Sequence, residues 1–255
     1  MKLHDVTWPE AARLDREKTL VVAPIAACEQ HSRHLTTFTD TILCGSIAEA
    51  VEAKLPDRVL LLPTFWLGAS DHHFAFGATL SLPVDLHVRV LREILTPLLD
   101  DGFKRCMFLN GHGGNIDTMQ TALRGLHVKY PDCQLTGASY WQLAHRELAE
   151  LAQADRKEMG HACEYETAMI MHFRPELVRR DQIKDDHQEV PEVLRGLFIP
   201  LDIGQRSEHG NIGYPEAATP ESGKRFADAI IARVTEVCEH LMDEPLVPKR
   251  ERVAP

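Results

Sequence analysis

A chain of 255 residues, 44% hydrophobic and 26% charged, has the composition of an ordinary globular protein and is long enough for a sizeable core. Its formal charge of −10 argues against nonspecific nucleic-acid binding, and no apolar run approaches the roughly 20 residues that span a membrane. The start, Met1 to Val6, lacks the apolar core of a signal peptide, and the six cysteines form no CxxC pair, so a reducing cytoplasm is the expected location.

Thr7-Trp8-Pro9-Glu10 predicts a short capped helix. Leu20 to Ala27 reads as a buried strand, with Glu29 and His31 close behind it. In an extended chain these two side chains share a face, and Asp40 sits where a helix of about 40–54 should begin. Two carboxylates and an imidazole at a strand end suit a divalent metal; the alternative is loop polar groups with Asp40 as an N-cap. Arg58 to Pro63 is a second strand. The segment Ala69 to Gly77, with Ser70, His72 and His73, reads as an ordered loop. Asp85 is expected to cap a helix to about Leu99, which Pro97 should bend or shorten.

Arg105 to Leu109 is a third strand that delivers Asn110-Gly111-His112-Gly113-Gly114-Asn115, followed by a helix over Ile116 to Val128. His112 between glycines suits a metal ligand, or equally a tight turn that binds an anion at a helix N-terminus. Gln134 to Trp141 is a fourth strand, Gln142 to Ala152 a helix, and Gly160 to Thr167 leads into a helix ending near Phe173. On a regular helix His161 and Glu164 share a face while Glu166 lies well round from both; the bland alternative is a solvated acidic first turn. Residues 180–206 show little periodicity, Gly210 to Pro215 is turn-rich, and Thr219 to about Met242 is the closing helix. Strands alternating with helices predict a single α/β domain over 1–255, its mostly parallel sheet flanked by helices, with any site at the carboxyl ends of the strands. Cys28 and Cys163 have no evident base, and Ser70 lacks a G-x-S-x-G frame, so neither a thiol nor a serine mechanism is favoured. His72 and His73 are candidate substrate or proton-transfer groups, or ordinary loop histidines.

Several of these segments together resemble the creatininase (creatinine amidohydrolase) family. They are Glu29-Gln30-His31 with His34-Leu35 and Thr39-Asp40-Thr41; Gly68-Ala69-Ser70 with His73 and Gly77 to Leu82; Asn110 to Asn115; His161-Ala162 with Glu164 and Glu166-Thr167; and Gly210 to Pro215 with Ala217 to Thr219. They stand in family order over about residues 20–225. The resemblance implies an α/β fold, a homohexamer and a two-metal centre. Carried onto this chain, Glu29 and His112 would bind one metal, His31 the other, and Asp40 would bridge. True creatininases carry a ligand glutamate where this chain has Gly114. Members with the His-Gly-Gly-Asn form carry a glutamate at the place of Glu164, which is therefore assigned to the second metal, with Glu166 as support. His161 matches the family's proposed proton shuttle, and Ser70, His72 and His73 are expected near the substrate.

The expectation is thus a hydrolase with two divalent ions (zinc, manganese or iron) that cleaves a cyclic amide or formamide C–N bond of a small polar substrate, with no nucleic-acid or membrane partner. The family also includes deformylases of a formamidopyrimidine nucleotide, a peptide-trimming enzyme of mycofactocin maturation and hydrolases of keto-inositols. A keto-cyclitol or keto-sugar hydrolase on the same metals is the alternative, ahead of a non-catalytic metal-stabilised binding protein.

Overall fold

A computed structural model of the chain describes residues 1–186, 193 and 197–247, so part of the low-periodicity stretch of 180–206 lies outside the described residues. The short helix α1 (Trp8–Ala11) is closed by a capping box in which the Thr7 N–H donates to Glu10 Oε2 at 2.7 Å. Strand β1 (Leu20–Ile25) follows, then helix α2 (Thr39–Lys54), strand β2 (Val59–Leu61), helix α3 (Val84–Asp100), strand β3 (Arg105–Asn110), helix α4 (Ile116–Lys129) and strand β4 (Gln134–Ser139). Two short helices, α5 (Tyr140–Leu143) and α6 (His145–Leu151), precede α7 (Glu164–Phe173) and the long α8 (Pro220–Asp243). Among the described residues no helix is long and apolar enough to cross a membrane.

The four strands form one parallel sheet in the order β2-β1-β3-β4. Alternate residues of β1 and β3 feed two cores. Leu20, Val22, Met107 and Leu109 pack with Ile47, Val51, Met169, Phe226 and Ile230 on one face, beneath α2, α7 and α8. Val21, Ala23, Cys106 and Phe108 pack with Leu91, Leu95, Met119 and Ala122 on the other, beneath α3 and α4. Burial on both faces explains why these strands read as unbroken apolar runs rather than alternating ones. From β1 the chain moves to one side of the sheet and from β3 to the other, so the crevice between their carboxyl ends is where strand order reverses. Ligand sites of open α/β sheets form at such a point. Glu29 and His31 leave β1 there, and His112 leaves β3 beside them.

Several boundaries differ from those the sequence suggests. Strand β4 stops at Ser139, and Tyr140-Trp141 open α5 instead of extending the strand. Pro83, not Asp85, is the N-cap of α3. That helix runs through Pro97 to Asp100, because buried Leu95 and Leu99 hold its last turns against the core despite the lost backbone donor. The expected loop after Ala69 contains a 3-10 helix over Asp71–Phe76.

Candidate metal centre

Three carboxylates and two imidazoles meet at the crevice between β1 and β3. Asp40 Oδ1 lies 2.9 Å from His31 Nε2, and its Oδ2 lies 3.0 Å from His112 Nδ1. Glu29 Oε2 is 3.2 Å from the same His112 nitrogen, and Glu166 Oε1 is 3.7 Å from His31 Nε2. Ligand atoms of Glu29, Asp40 and His112 form one group that could hold an ion, those of His31, Asp40 and Glu166 a second, and those of Glu29, His31 and His161 a third. Asp40 belongs to the first two, as a bridging ligand would. It lies in the first turn of α2, whose N-cap is Phe38, so its side chain is not spent on capping.

The hydrogen bonds fix which ring nitrogens face inward. His31 Nδ1 donates to Glu29 O at 3.2 Å, His112 Nε2 to Ala69 O at 3.1 Å and His161 Nε2 to Gln30 O at 2.8 Å. A carbonyl only accepts, so each imidazole spends an N–H on the main chain and turns its other nitrogen, the one that could bind an ion, towards the carboxylates. Glu29 Oε2, His31 Nε2 and Asp40 Oδ2 are buried without a hydrogen bond, an arrangement that calls for positive charge between them. The donor set, imidazole nitrogen and carboxylate oxygen with each imidazole anchored from behind, suits a divalent metal.

The charge balance of the protein alone points the same way. Burial pushes the Glu29 carboxyl above its ordinary range, and the neighbouring Asp40 charge adds to the rise. Burial also acts to raise Asp40, but His31 and His112 more than offset it and hold that carboxyl well below the usual range. His112 is lifted to about 10 against the effect of burial by Glu29 and Asp40, and His31 is likewise raised well above its ordinary value by Asp40 and Glu166. His161 goes the other way: burial and the His31 charge keep it neutral.

The local backbone supports this geometry. Ser32 and Ala162, each directly after a cluster histidine, have positive φ (57° and 45°), a conformation that costs a non-glycine residue about 1 kcal/mol or more. Asn110 brackets His112, its Oδ1 accepting the His112 N–H at 3.1 Å while its Nδ2 donates to His112 O at 2.7 Å. Asn115 ties the same turn to β1, accepting from Ala69 N and donating to Ala26 O, both at 3.0 Å. A Cβ at Gly114 would lie 2.2 Å from Ala69 O and 2.5 Å from His112 Nε2, so the main chain here leaves no room for a side chain.

Glu164, expected as a ligand, is elsewhere. Its Oε1 accepts Gln153 N at 2.8 Å and its Oε2 accepts Ala154 N at 3.0 Å, and it joins none of the candidate ion groups among the described residues. The helix α7 begins only at Glu164, later than the spacing of His161 and Glu164 requires. His161 lies before the helix, bridged to Ile212, and therefore shares no helix face with Glu164. Glu166 occupies the inward place. Ser70, expected against the substrate, is fully buried behind His112, its Oγ 3.1 Å from Nε2. His72 and His73 do line the cavity beside the cluster, and His73 Nε2 lies 3.3 Å from Glu29 Oε1.

Gln30 is a residue the pattern did not mark. Its Nε2 donates to His73 Nδ1 and to Gly210 O, both at 2.9 Å, and its Oε1 accepts Ser32 N at 2.8 Å. It thereby fixes the tautomer of His73. In an alternating reading it falls on the face opposite Glu29 and His31, so no sequence signal singles it out.

The creatinine amidohydrolase (Creatininase) family matches residues 4–238. A mycofactocin precursor peptide peptidase from Mycobacterium ulcerans (strain Agy99) is 28% identical over 243 residues, covering 88% of this chain and 82% of its own. The creatinine amidohydrolase of Pseudomonas putida is 23% identical over 248 residues, covering 91% and 94%. A solved structure designated creatininase Mn superposes with a TM-score of 0.83 at 18% identity, over 95% of this chain and 99% of that one. The chain belongs to the creatininase family, whose members are metal-dependent amidohydrolases.

Proposed function

We propose that this chain hydrolyses a C–N amide bond of a small substrate at a centre for two divalent ions. Glu29, Asp40 and His112 would hold one ion, and His31, Asp40 and Glu166 the other, with Asp40 shared. The observation that carries this reading is the inward set of histidine nitrogens facing buried carboxylate oxygens that make no hydrogen bond. Bound there, the ions would supply Lewis-acid polarisation of the carbonyl and acidify a water near neutral pH.

The protein's own groups then manage the proton. His161 keeps Nε2–H on Gln30 O, which leaves the Nδ1 lone pair, 3.5 Å from Glu29 Oε1, to accept a proton and pass it to the departing nitrogen. Its depressed basicity suits a group that must begin the cycle neutral and release the proton readily. His73, kept neutral above all by burial, steadies Glu29 from the other side. The cavity over the cluster measures about 670 Å³, and apolar residues such as Trp141, Phe198 and Leu201 form part of its wall.

Metal analysis with an amidase assay tests the proposal. Two ions per chain, with hydrolysis of a peptide, formamide or cyclic amide lost on chelation and regained on metal return, are expected. One ion per chain in fully active protein would overturn the two-ion arrangement.

A further inference from the structure

The cavity above the cluster also holds two guanidinium groups that the hydrolytic chemistry does not use. Arg206, just after the one-turn helix Ile203–Gln205, and Arg156, in the loop before α7, both line it. Arg206 is half-buried and, among the described residues, its guanidinium makes neither a hydrogen bond nor an ion pair within 4 Å. Arg156 has a single long bond, from Nε to Glu158 O at 3.4 Å. Three more carboxylates border the same cavity, those of Asp71, Asp117 and Asp202, but all are exposed and none pairs with either arginine. The Asp202 carboxylate is turned onto its own helix in a capping box with Gln205.

Placing like charges together under partial burial is unfavourable, and here it is uncompensated. Burial, and after it the charge of Arg156, pulls Arg206 below its ordinary value. Arginine forks match carboxylate and phosphate oxygens two bonds at a time, so two unsatisfied forks in one cavity suit an oxyanion. The loop carrying Arg156 is also secured: the Glu164 carboxylate clamps Gln153 N and Ala154 N, and Lys157 Nζ donates to Ala152 O at 3.0 Å. This accounts for the work of Glu164 away from the ion cluster.

We propose that Arg156 and Arg206 bind an oxyanion of the substrate, a carboxylate or a phosphate, on the same molecule as the amide presented to the cluster. The inference rests on the two-ion reading and adds a substrate class to it: acidic amides rather than neutral ones.

Binding of chelating probes separates the two. Butyrohydroxamate, succinate monohydroxamate and 3-phosphonopropionohydroxamate share one chelating end and differ at the other. Their Kd values for metal-loaded wild type, Arg206→Met, Arg156→Met and Arg206→Lys would be measured by calorimetry. Wild type should bind an acidic probe at least about tenfold more tightly than the neutral one, the scale of one charge-assisted hydrogen bond. That advantage should fall to about threefold or less in Arg206→Met and shrink in Arg156→Met. Arg206→Lys should retain part of it, and every variant should hold the neutral probe as wild type does. Preference for the carboxylate or for the phosphonate identifies the source of the oxyanion, and either supports the proposal. Equal binding of all three probes by wild type would overturn it while leaving the ion centre intact. Failure of every probe to bind would overturn the ion centre and this inference with it.

Discussion

Glu166 presents Oε1 to His31 Nε2 at 3.7 Å while its Oε2 accepts the Cys163 N–H at 3.4 Å, so one side chain both faces the cluster and closes the first turn of α7. Glu164, two residues earlier, spends both oxygens on the main chain of Gln153 and Ala154. Glu166→Gln should therefore release one metal equivalent under mild chelation. Its folding should survive, because glutamine at the third helical position can still close a capping box. Glu164→Gln should keep both equivalents and lose stability by about 1.5–3 kcal/mol, the range for hydrogen bonds to a charged group. Metal content and urea unfolding of both variants decide the matter; the reverse pattern would restore Glu164 as the ligand.

Asp40 faces His31 through one oxygen and His112 through the other, whereas Glu29 approaches only His112 and not His31 with its unbonded oxygen. Asp40→Asn should lose both metal equivalents and Glu29→Gln chiefly one. Elemental analysis of protein purified without added chelator is the measurement, and full occupancy in Asp40→Asn would sink the shared-ligand arrangement.

What the sequence made legible follows the physics of each signal. The four strands stood out because burial on both faces gives them continuous apolar runs, and chemically loaded segments directly after β1 and β3 marked the switch point of the sheet. The choice between Glu164 and Glu166 was not legible. It depends on where the helix starts: residues two apart point about 200° apart round a helix, so an error of one or two residues in that boundary exchanges which acid is expected to face inward. Ser70 misled for a related reason: proximity to His112 in the fold does not say on which side of the ring it lies. Gln30 works through contacts with distant segments, which nothing in the spacing of its neighbours reports, and Arg156 and Arg206 are brought to one cavity only by the fold.

His161 is held by Gln30 O from behind and aims Nδ1 at the cluster. A proton carrier and a required ligand predict different losses. His161→Asn should keep both metal equivalents and slow turnover by about 10²–10⁴-fold, the usual contribution of general acid–base catalysis. Loss of an equivalent from this variant would make His161 a ligand instead.

Acid should weaken the fold through two histidines outside the ion cluster. His34 and His87 are fully buried, each with one ring nitrogen 2.9 Å from a threonine hydroxyl, Thr167 and Thr118 respectively, and the other nitrogen unbonded. Burial, with the charges of His31 and His112 behind it, lowers both to about 4. In the unfolded chain each would take up a proton near pH 6.5. Between pH 6.5 and 4 the unfolded state therefore binds more protons than the folded one, and stability must rise with pH across that window. The contribution is complete above about pH 6.5 and is lost as pH falls towards 4. It amounts to at most roughly 3.5 kcal/mol per histidine, because each tenfold drop in proton affinity is worth about 1.4 kcal/mol. His87→Asn retains a polar partner for Thr118 and removes one of these protons. Its unfolding free energy plotted against pH should be flatter than that of wild type by about 1.4 kcal/mol per pH unit near pH 5, and parallel above roughly pH 7.5. Urea titrations at a series of pH values across this range test the difference in slope. Parallel curves throughout would mean that His87 takes its proton in the folded state as readily as in the unfolded one.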